Sequence, residues 1–322
     1  MCKKSKILII RFSSIGDIIL TTPIIRCLNN QLNVEIDYLT KSEYKDLVTS
    51  NPHVNEVITL GSISETLDIL RSKNYNYVID LQNSFRSLFI RSLLLIKSYS
   101  FSKYNFKRYI LIYFGINFLN NHIVDRYFKS VKRLNINNDK KGVDYFFASK
   151  KFHLDFNIQQ EYICWCVGGT YEQKRLSYVQ ILNVISKIEH PVLFIGGSKE
   201  KEISSRIKNS ISRNNIFDLC GKTSIDESAY LMKKSKLILT NDTGMMHIAS
   251  AFDVPIISFW GCTKPSLGFY PYQANIKSEC IITDKSKKPC SKHGKHCRFQ
   301  SKGCIKQIND EVIINTIKRL LK

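Results

Sequence analysis

The sequence predicts an α/β protein built from two parallel-sheet domains. Three observations carry that expectation. The chain has 322 residues, enough for two domains that each bury a core. Short apolar runs at residues 7–10, 162–167, 192–195 and 237–239 are separated by helical patterns, as in strands buried on both faces of a parallel sheet. Two of the strand-to-helix junctions carry a small polar turn containing an aspartate, Asp17 in one and Asp242 in the other. We place the first domain at residues 1–155 and the second at 156–322. The polar stretch 135–142 and the charges of Lys150 and Lys151 mark the approach to the boundary.

In the first domain the strand at 7–10 leads into Arg11-Phe12-Ser13-Ser14-Ile15-Gly16-Asp17, and a helical pattern follows at 18–28. The glycine fingerprint of a dinucleotide-binding turn is absent, which argues against a dehydrogenase. An aspartate at the carboxyl end of the first strand suits general-base work; it equally suits a helix start. A later strand ends in Asp80-Leu81-Gln82-Asn83-Ser84-Phe85-Arg86-Ser87, a polar loop. Arg86 could pair with a sugar carboxylate or a lipid phosphate there, and a helix-capping loop fits as well.

The formal charge of +21 is unevenly spread. Residues 85–133 hold ten Lys or Arg against one acid, Asp125, with twelve Phe or Tyr among them. Basic residues mixed with aromatics fit nucleic acid, through phosphates and stacking, or an anionic membrane surface. No apolar run reaches the ~18 residues of a spanning helix, and no signal peptide is evident.

The second domain opens with the strand at 162–167, and Lys174 follows in the loop. After the strand at 192–195, the turn Gly196-Gly197 precedes Glu200, with Glu202 as its rival. The strand at 237–239 runs into Asn241-Asp242-Thr243-Gly244-Met245-Met246-His247. Backbone N–H groups at that helix start, Gly244 and the side-chain oxygens of Asp242 and Thr243 suit a phosphate-bearing sugar donor. His247 falls one turn into the helix. The chain carries ten cysteines, expected as thiols in a protein without an export signal. Cys280, Cys290, Cys297 and Cys304, with His293 and His296 between, raise a structural zinc. The spacing of seven lacks the usual C-x₂-C knuckle, so a metal is not the favoured reading.

Five motifs occur in order: residues 11–23 (RFSSIGDIILTTP), 169–175 (GTYEQKR), 196–200 (GGSKE), 219–224 (LCGKTS) and 241–247 (NDTGMMH). Together they resemble the ADP-heptose:lipopolysaccharide heptosyltransferases of glycosyltransferase family 9. The likeness covers nearly the whole chain and is weakest over about 85–150. It implies two Rossmann-like domains facing a cleft (GT-B type), with the amphipathic C-terminal helix, residues 310–322, packing back on the first domain. It implies an inverting, metal-independent transfer from a nucleotide sugar, with no cofactor. Asp17 matches the family's base, and Lys174 matches its phosphate-binding lysine. Thr243, Gly244 and Met245 would meet the diphosphate, Asp242 the donor sugar, and Glu200 the ribose, with His247 beside them. Ser13, Ser14, Gly16 and Arg86 would face the acceptor. The partners implied are an ADP-sugar, an anionic glycolipid and the inner leaflet, so the protein is expected in the cytoplasm at the inner membrane. Residues 260–272 (WGCTKPSLGFYPY) depart from well-known members in carrying Lys264. That leaves another nucleotide sugar open. A basic protein binding lipid or nucleic acid, or a nucleotide-sugar epimerase of the same architecture, stand as the alternatives.

Overall fold

The computed structural model describes residues 4–149, 152, 160–283 and 288–322. The domain boundary expected at 155 lies outside the described residues. The chain divides into two compact units, Met1–Tyr104 with Asn121–Ala148, and Asn105–Asn120 with Ser149–Lys322. Residues 105–120, placed by sequence in the first domain, therefore group with the second unit. Anchoring contacts explain this. Lys288 Nζ donates to the Tyr113 carbonyl at 2.7 Å and Arg298 Nη2 to the Ile112 carbonyl at 2.5 Å. The Arg108 guanidinium lies 5.2 Å from the centre of the Phe269 ring.

The first unit contains strands β1 (Ser5–Ile10), β2 (Val34–Thr40), β3 (Glu56–Thr59), β4 (Tyr77–Asp80) and β5 (Ser98–Ser100). They form one parallel sheet in the order β3-β2-β1-β4-β5. β1 is central, which is why Ile7, Leu8, Ile9 and Ile10 are all fully buried. One face packs Leu8 and Ile10 against Phe12, Leu39, Val78 and Ile90. Cutting Ile10 back to alanine should cost about 2–5 kcal/mol.

The second unit repeats the plan with β6 (Ile163–Cys166), β7 (Val192–Ile195), β8 (Ile216–Asp218), β9 (Leu237–Asn241), β10 (Ile256–Trp260) and β11 (Glu279–Ile282). The order is β11-β10-β9-β6-β7-β8, again parallel throughout. Trp165, Phe194, Leu239 and Phe259 form the middle of its core. The helix Asp310–Leu321 belongs to this core through Ile313, Ile314, Ile317 and Leu320, packed on the helix Tyr178–Ser186 and on β9. Its apolar stripe is used up within the second unit. Asn309 caps it by accepting from the Glu311 N–H, and Asp310, Glu311, Lys318 and Arg319 complement its dipole.

Each sheet has one place where neighbouring strands lead their connections to opposite sides. In the first it lies between β1 and β4, in the second between β6 and β9. Ligands of open parallel sheets bind outside the carboxyl ends of strands at such switch points. Among the described residues no helix is long and apolar enough to cross a membrane.

Candidate active site

At the first switch point Arg11 directly follows β1 and Asp80 ends β4. Asp17 sits in the helix Ile15–Ile19, where its Oδ2 accepts from Ser14 N–H at 3.4 Å and from Ser14 Oγ at 3.2 Å. The Ser13–Ser14 peptide bond in this turn is cis. Arg11 Nη2 lies 2.7 Å from the same Oδ2. Arg11 is itself fixed, donating to the Ser13 carbonyl at 2.8 Å and the Leu81 carbonyl at 2.5 Å. Burial works against the guanidinium charge, but Asp17, with Tyr127 and Tyr38 in support, more than offsets it, and the Arg11 pKa is raised. The carboxylate is thus held by a buried cation yet stays partly open to solvent.

The β4 loop joins the same place. Gln82 Oε1 accepts from Phe12 N–H at 3.1 Å, and Asp80 Oδ1 accepts from the N–H groups of Gln82 and Asn83. Arg91 pairs with the buried Asp80 at 3.6 Å. Ser13, Ser14, Gly16 and Asp17 therefore form one turn, stitched to the loop that leads to Arg86. Arg86 is exposed in the first turn of the helix Phe85–Leu94, which Ser84 caps.

The second switch point carries a cation. Lys174 Nζ lies 2.7 Å from Asp242 Oδ2, with each side chain 13% exposed. Thr263 Oγ1 donates to the same oxygen at 2.7 Å. Asn241 Nδ2 donates to the carbonyls of Val167 and Gly168 at 3.2 and 2.9 Å, tying the end of β9 to the end of β6. Thr243 precedes the helix Gly244–Ala249 in extended backbone. Thr243, Gly244 and Met245 are partly exposed, whereas His247 is buried.

Glu200 lies apart from that cluster's hydrogen bonds. Its Oε2 accepts from Gly197 N–H at 3.0 Å, closing the Gly196-Gly197 turn, and the side chain is largely buried. Gly221 N–H donates to the Gly196 carbonyl at 2.9 Å, so the motifs at 196–200 and 219–224 meet here. Glu202 is exposed. Lys264 is buried, and its Nζ donates to the Thr283 carbonyl at 2.9 Å. It braces the end of β11.

Sequence reasoning missed Arg11, Asn241 and Thr263. Each is a polar residue just past or at the end of an apolar strand, the one signal that could have exposed them. Nor does residue counting show which cations of the basic region face out. Arg108 and Arg126 are buried, the latter with its guanidinium 5.4 Å from the Tyr104 ring centre and its pKa lowered by burial. The metal candidates need correction too. Cys280 is exposed on β11, where it accepts from Ser258 Oγ at 3.2 Å. The sulfurs that do come together are those of Cys262, Cys290, Cys297 and Cys304, all within 4.8 Å of one another.

Comparison with known proteins decides the family. The model of glycosyltransferase family 9 (heptosyltransferase) matches residues 66–301. The chain belongs to glycosyltransferase family 9. This family 9 chain is 28% identical to lipopolysaccharide heptosyltransferase 1 of Campylobacter coli, over 98% of each protein. Its fold is similar to that of the ADP-heptose lipopolysaccharide heptosyltransferase II of E. coli, with TM-score 0.75, 20% identity and 98% of each chain covered. It is also similar to an E. coli heptosyltransferase solved with ADP-2-deoxy-2-fluoro heptose, with TM-score 0.70, 18% identity, and 98% of this chain and 99% of that one covered. As a family 9 member the protein is a glycosyltransferase, and its two parallel sheets match that fold.

Proposed function

We propose that this enzyme moves a heptose, or a closely related sugar, from an ADP-sugar to a lipopolysaccharide core or lipid A-type acceptor, inverting the anomeric configuration. The observation that carries the reading is the pair of switch points. One holds a carboxylate fixed by a buried arginine, Asp17 on Arg11, and the other holds Lys174 beside Asp242 and Thr263. Asp17 takes the proton from the acceptor hydroxyl as its oxygen bonds to the anomeric carbon. The bond from that carbon to the diphosphate oxygen breaks, and its electron pair leaves with ADP. Lys174 then neutralises charge growing on the diphosphate.

In this account Asp242 exchanges part of its hold on Lys174 for donor-sugar hydroxyls. The N–H groups of Thr243, Gly244 and Met245 add donors for the phosphates. Glu200 serves the ribose while closing its own turn, and His247 shapes the floor behind Asp242. Ser13, Ser14, Gly16 and Arg86 shape the acceptor side. The acceptor is a lipid, and two segments suit an anionic membrane surface. The helix Phe85–Leu94 exposes Phe85 at 93% beside Arg86, and residues 105–120 expose Phe106 at 75% and Phe114 at 67% beside Lys107. Rings at the interface and cations on headgroups would hold the enzyme at the inner leaflet.

The test is ADP release from ADP-heptose, with and without a truncated lipopolysaccharide acceptor. Release that depends on the acceptor and falls by about 10²–10⁴ in Asp17→Asn is expected for loss of a general base. Release unaffected by the acceptor, or by Asp17→Asn, would remove the transferase reading.

A further inference from the structure

We propose that Cys262, Cys290, Cys297 and Cys304 form a closed tetrathiolate site for a single thiolate-binding metal ion, zinc or iron, that positions the donor-binding lysine. The four sulfurs lie within 4.8 Å of one another, with 3.7 Å between Cys262 and Cys304 and 4.0 Å between Cys290 and Cys297. Metal–sulfur bonds of about 2.3 Å in a tetrahedron place sulfurs about 3.8 Å apart, so an ion fits with little movement. The sulfurs are well beyond the ~2.05 Å of a disulfide, and all four cysteines are free. Cys262 and Cys304 are fully buried, Cys290 nearly so, and Cys297 closes the group from the outside. His293 and His296 are exposed, and neither belongs to the group.

The backbone is arranged for it. Cys290 N–H donates to the Cys262 carbonyl at 2.8 Å, docking the start of the cysteine segment on the loop just past β10. Charge fits as well. Four thiols that bind a divalent ion release their protons to solvent and leave a centre of net charge −2. Residues 290–306 supply Lys292, Lys295, Arg298, Lys302 and Lys306 and no carboxylate. An all-sulfur tetrahedral set selects zinc or iron over magnesium or calcium. With no open position, the ion is structural.

Its consequence rests on the donor-site reading given above. The cysteine segment lies directly on the lysine loop. A side chain on Gly294, whose φ is +80°, would come within 2.6 Å of Lys174 Cγ. One on Gly303, at φ +96°, would come within 2.5 Å of Gln173 Cα. Gln173 Nε2 donates to the Ser301 carbonyl at 3.0 Å, and Lys306 pairs with Glu172 at 2.7 Å. Cys262 immediately precedes Thr263, which holds Asp242. One ion would thus fix both neighbours of the Lys174–Asp242 pair.

The experiment measures metal in the full-length protein purified under reducing conditions without chelator, then after stripping and reloading with Co²⁺ alone. We expect about one zinc or iron per chain, and for Co²⁺ the strong visible absorption of a tetrahedral thiolate site. Cys297→Ser should lower bound metal to about a tenth or less, whereas Cys280→Ser should leave it unchanged. Should Cys297→Ser not fold, the Co²⁺ spectrum of the native protein decides. No metal before or after reloading, a disulfide among the four, or metal unchanged in folded Cys297→Ser would overturn the site. Removing the ion should also weaken ADP binding by about tenfold. Metal present with ADP affinity unchanged by its removal would overturn the positioning role. A native protein that holds metal but binds no ADP would instead contradict the donor-site reading.

Discussion

The two units share a sheet plan and differ in what they place at the switch point. In the first, the strand ends converge on a carboxylate, and the buried group is the cation that fixes it. In the second they converge on a lysine, and the carboxylate of Asp242 fixes the cation. On the proposed function, one plan yields a proton acceptor in one unit and an anion receptor in the other. The supports differ too. Arg11 is held by main-chain carbonyls of its own unit's central strand ends. Lys174 stands on an irregular turn, Glu172–Lys174, bordered by the cysteine segment. The metal clasp proposed above would brace this short turn from the cysteine segment.

This contrast can be broken in graded steps. Asp17→Asn has the largest effect, acting on turnover alone. Lys174→Ala comes next: loss of a charged contact to the diphosphate, worth about 1.5–3 kcal/mol, should weaken ADP binding roughly 10- to 100-fold in calorimetry. If affinity were unchanged, the cation would not belong to the donor site. Arg11→Gln should lower turnover about tenfold and move the acid limb of the rate profile to higher pH. The sign follows from charge: without a cation beside it, Asp17 holds its proton more readily and needs higher pH to act as a base. An acid limb that stays put would mean that Arg11 is only a brace. Thr263→Val removes one neutral donor to Asp242, about 1 kcal/mol, and should weaken ADP by a few-fold with turnover nearly intact.

The smallest effect concerns a salt bridge outside both sites. Arg26 forks onto Asp139 at 2.8 Å and also pairs with Asp144. Its hydrogen bonds hold the Asp139 carboxyl down to about 2, against an ordinary 3.8. A depressed carboxyl stabilises the fold above its unfolded pKa and loses that contribution as pH falls through its folded value. Asp139→Asn should therefore cost about 1 kcal/mol near neutrality, discounted for solvent screening. Denaturant titrations should show the difference from native shrinking between pH 4 and 2, because native loses what the variant already lacks. A difference independent of pH would assign the loss to packing.

Much of this was legible in the sequence because it is local. Runs such as 7–10 and 237–239 announce buried strands, and Asp17 and Asp242 stand in turns directly after them. What sequence hid is what sheet register assembles. Arg11 meets Leu81 and Tyr127, 70 and 116 residues away. Asn241 reaches Gly168, and Thr263 reaches Asp242. Cys262 replaces Cys280 in the sulfur cluster for the same reason: it lies just past β10, where residues 290 and 304 return to it, while Cys280 is exposed on the edge strand β11. The basic region shows a second limit. Counting residues finds charge but not its place, and Arg108 and Arg126 use their cations against aromatic rings in the interior.

The division between the two switch points is tested most directly by measuring ADP affinity and single-turnover rate together for native protein, Asp17→Asn and Lys174→Ala. The account predicts native-like affinity with a rate lower by at least about 10² for Asp17→Asn. It predicts weakened affinity for Lys174→Ala, with much of the rate restored at saturating donor. Equal losses of affinity in both variants, or full transfer by Asp17→Asn, would contradict it.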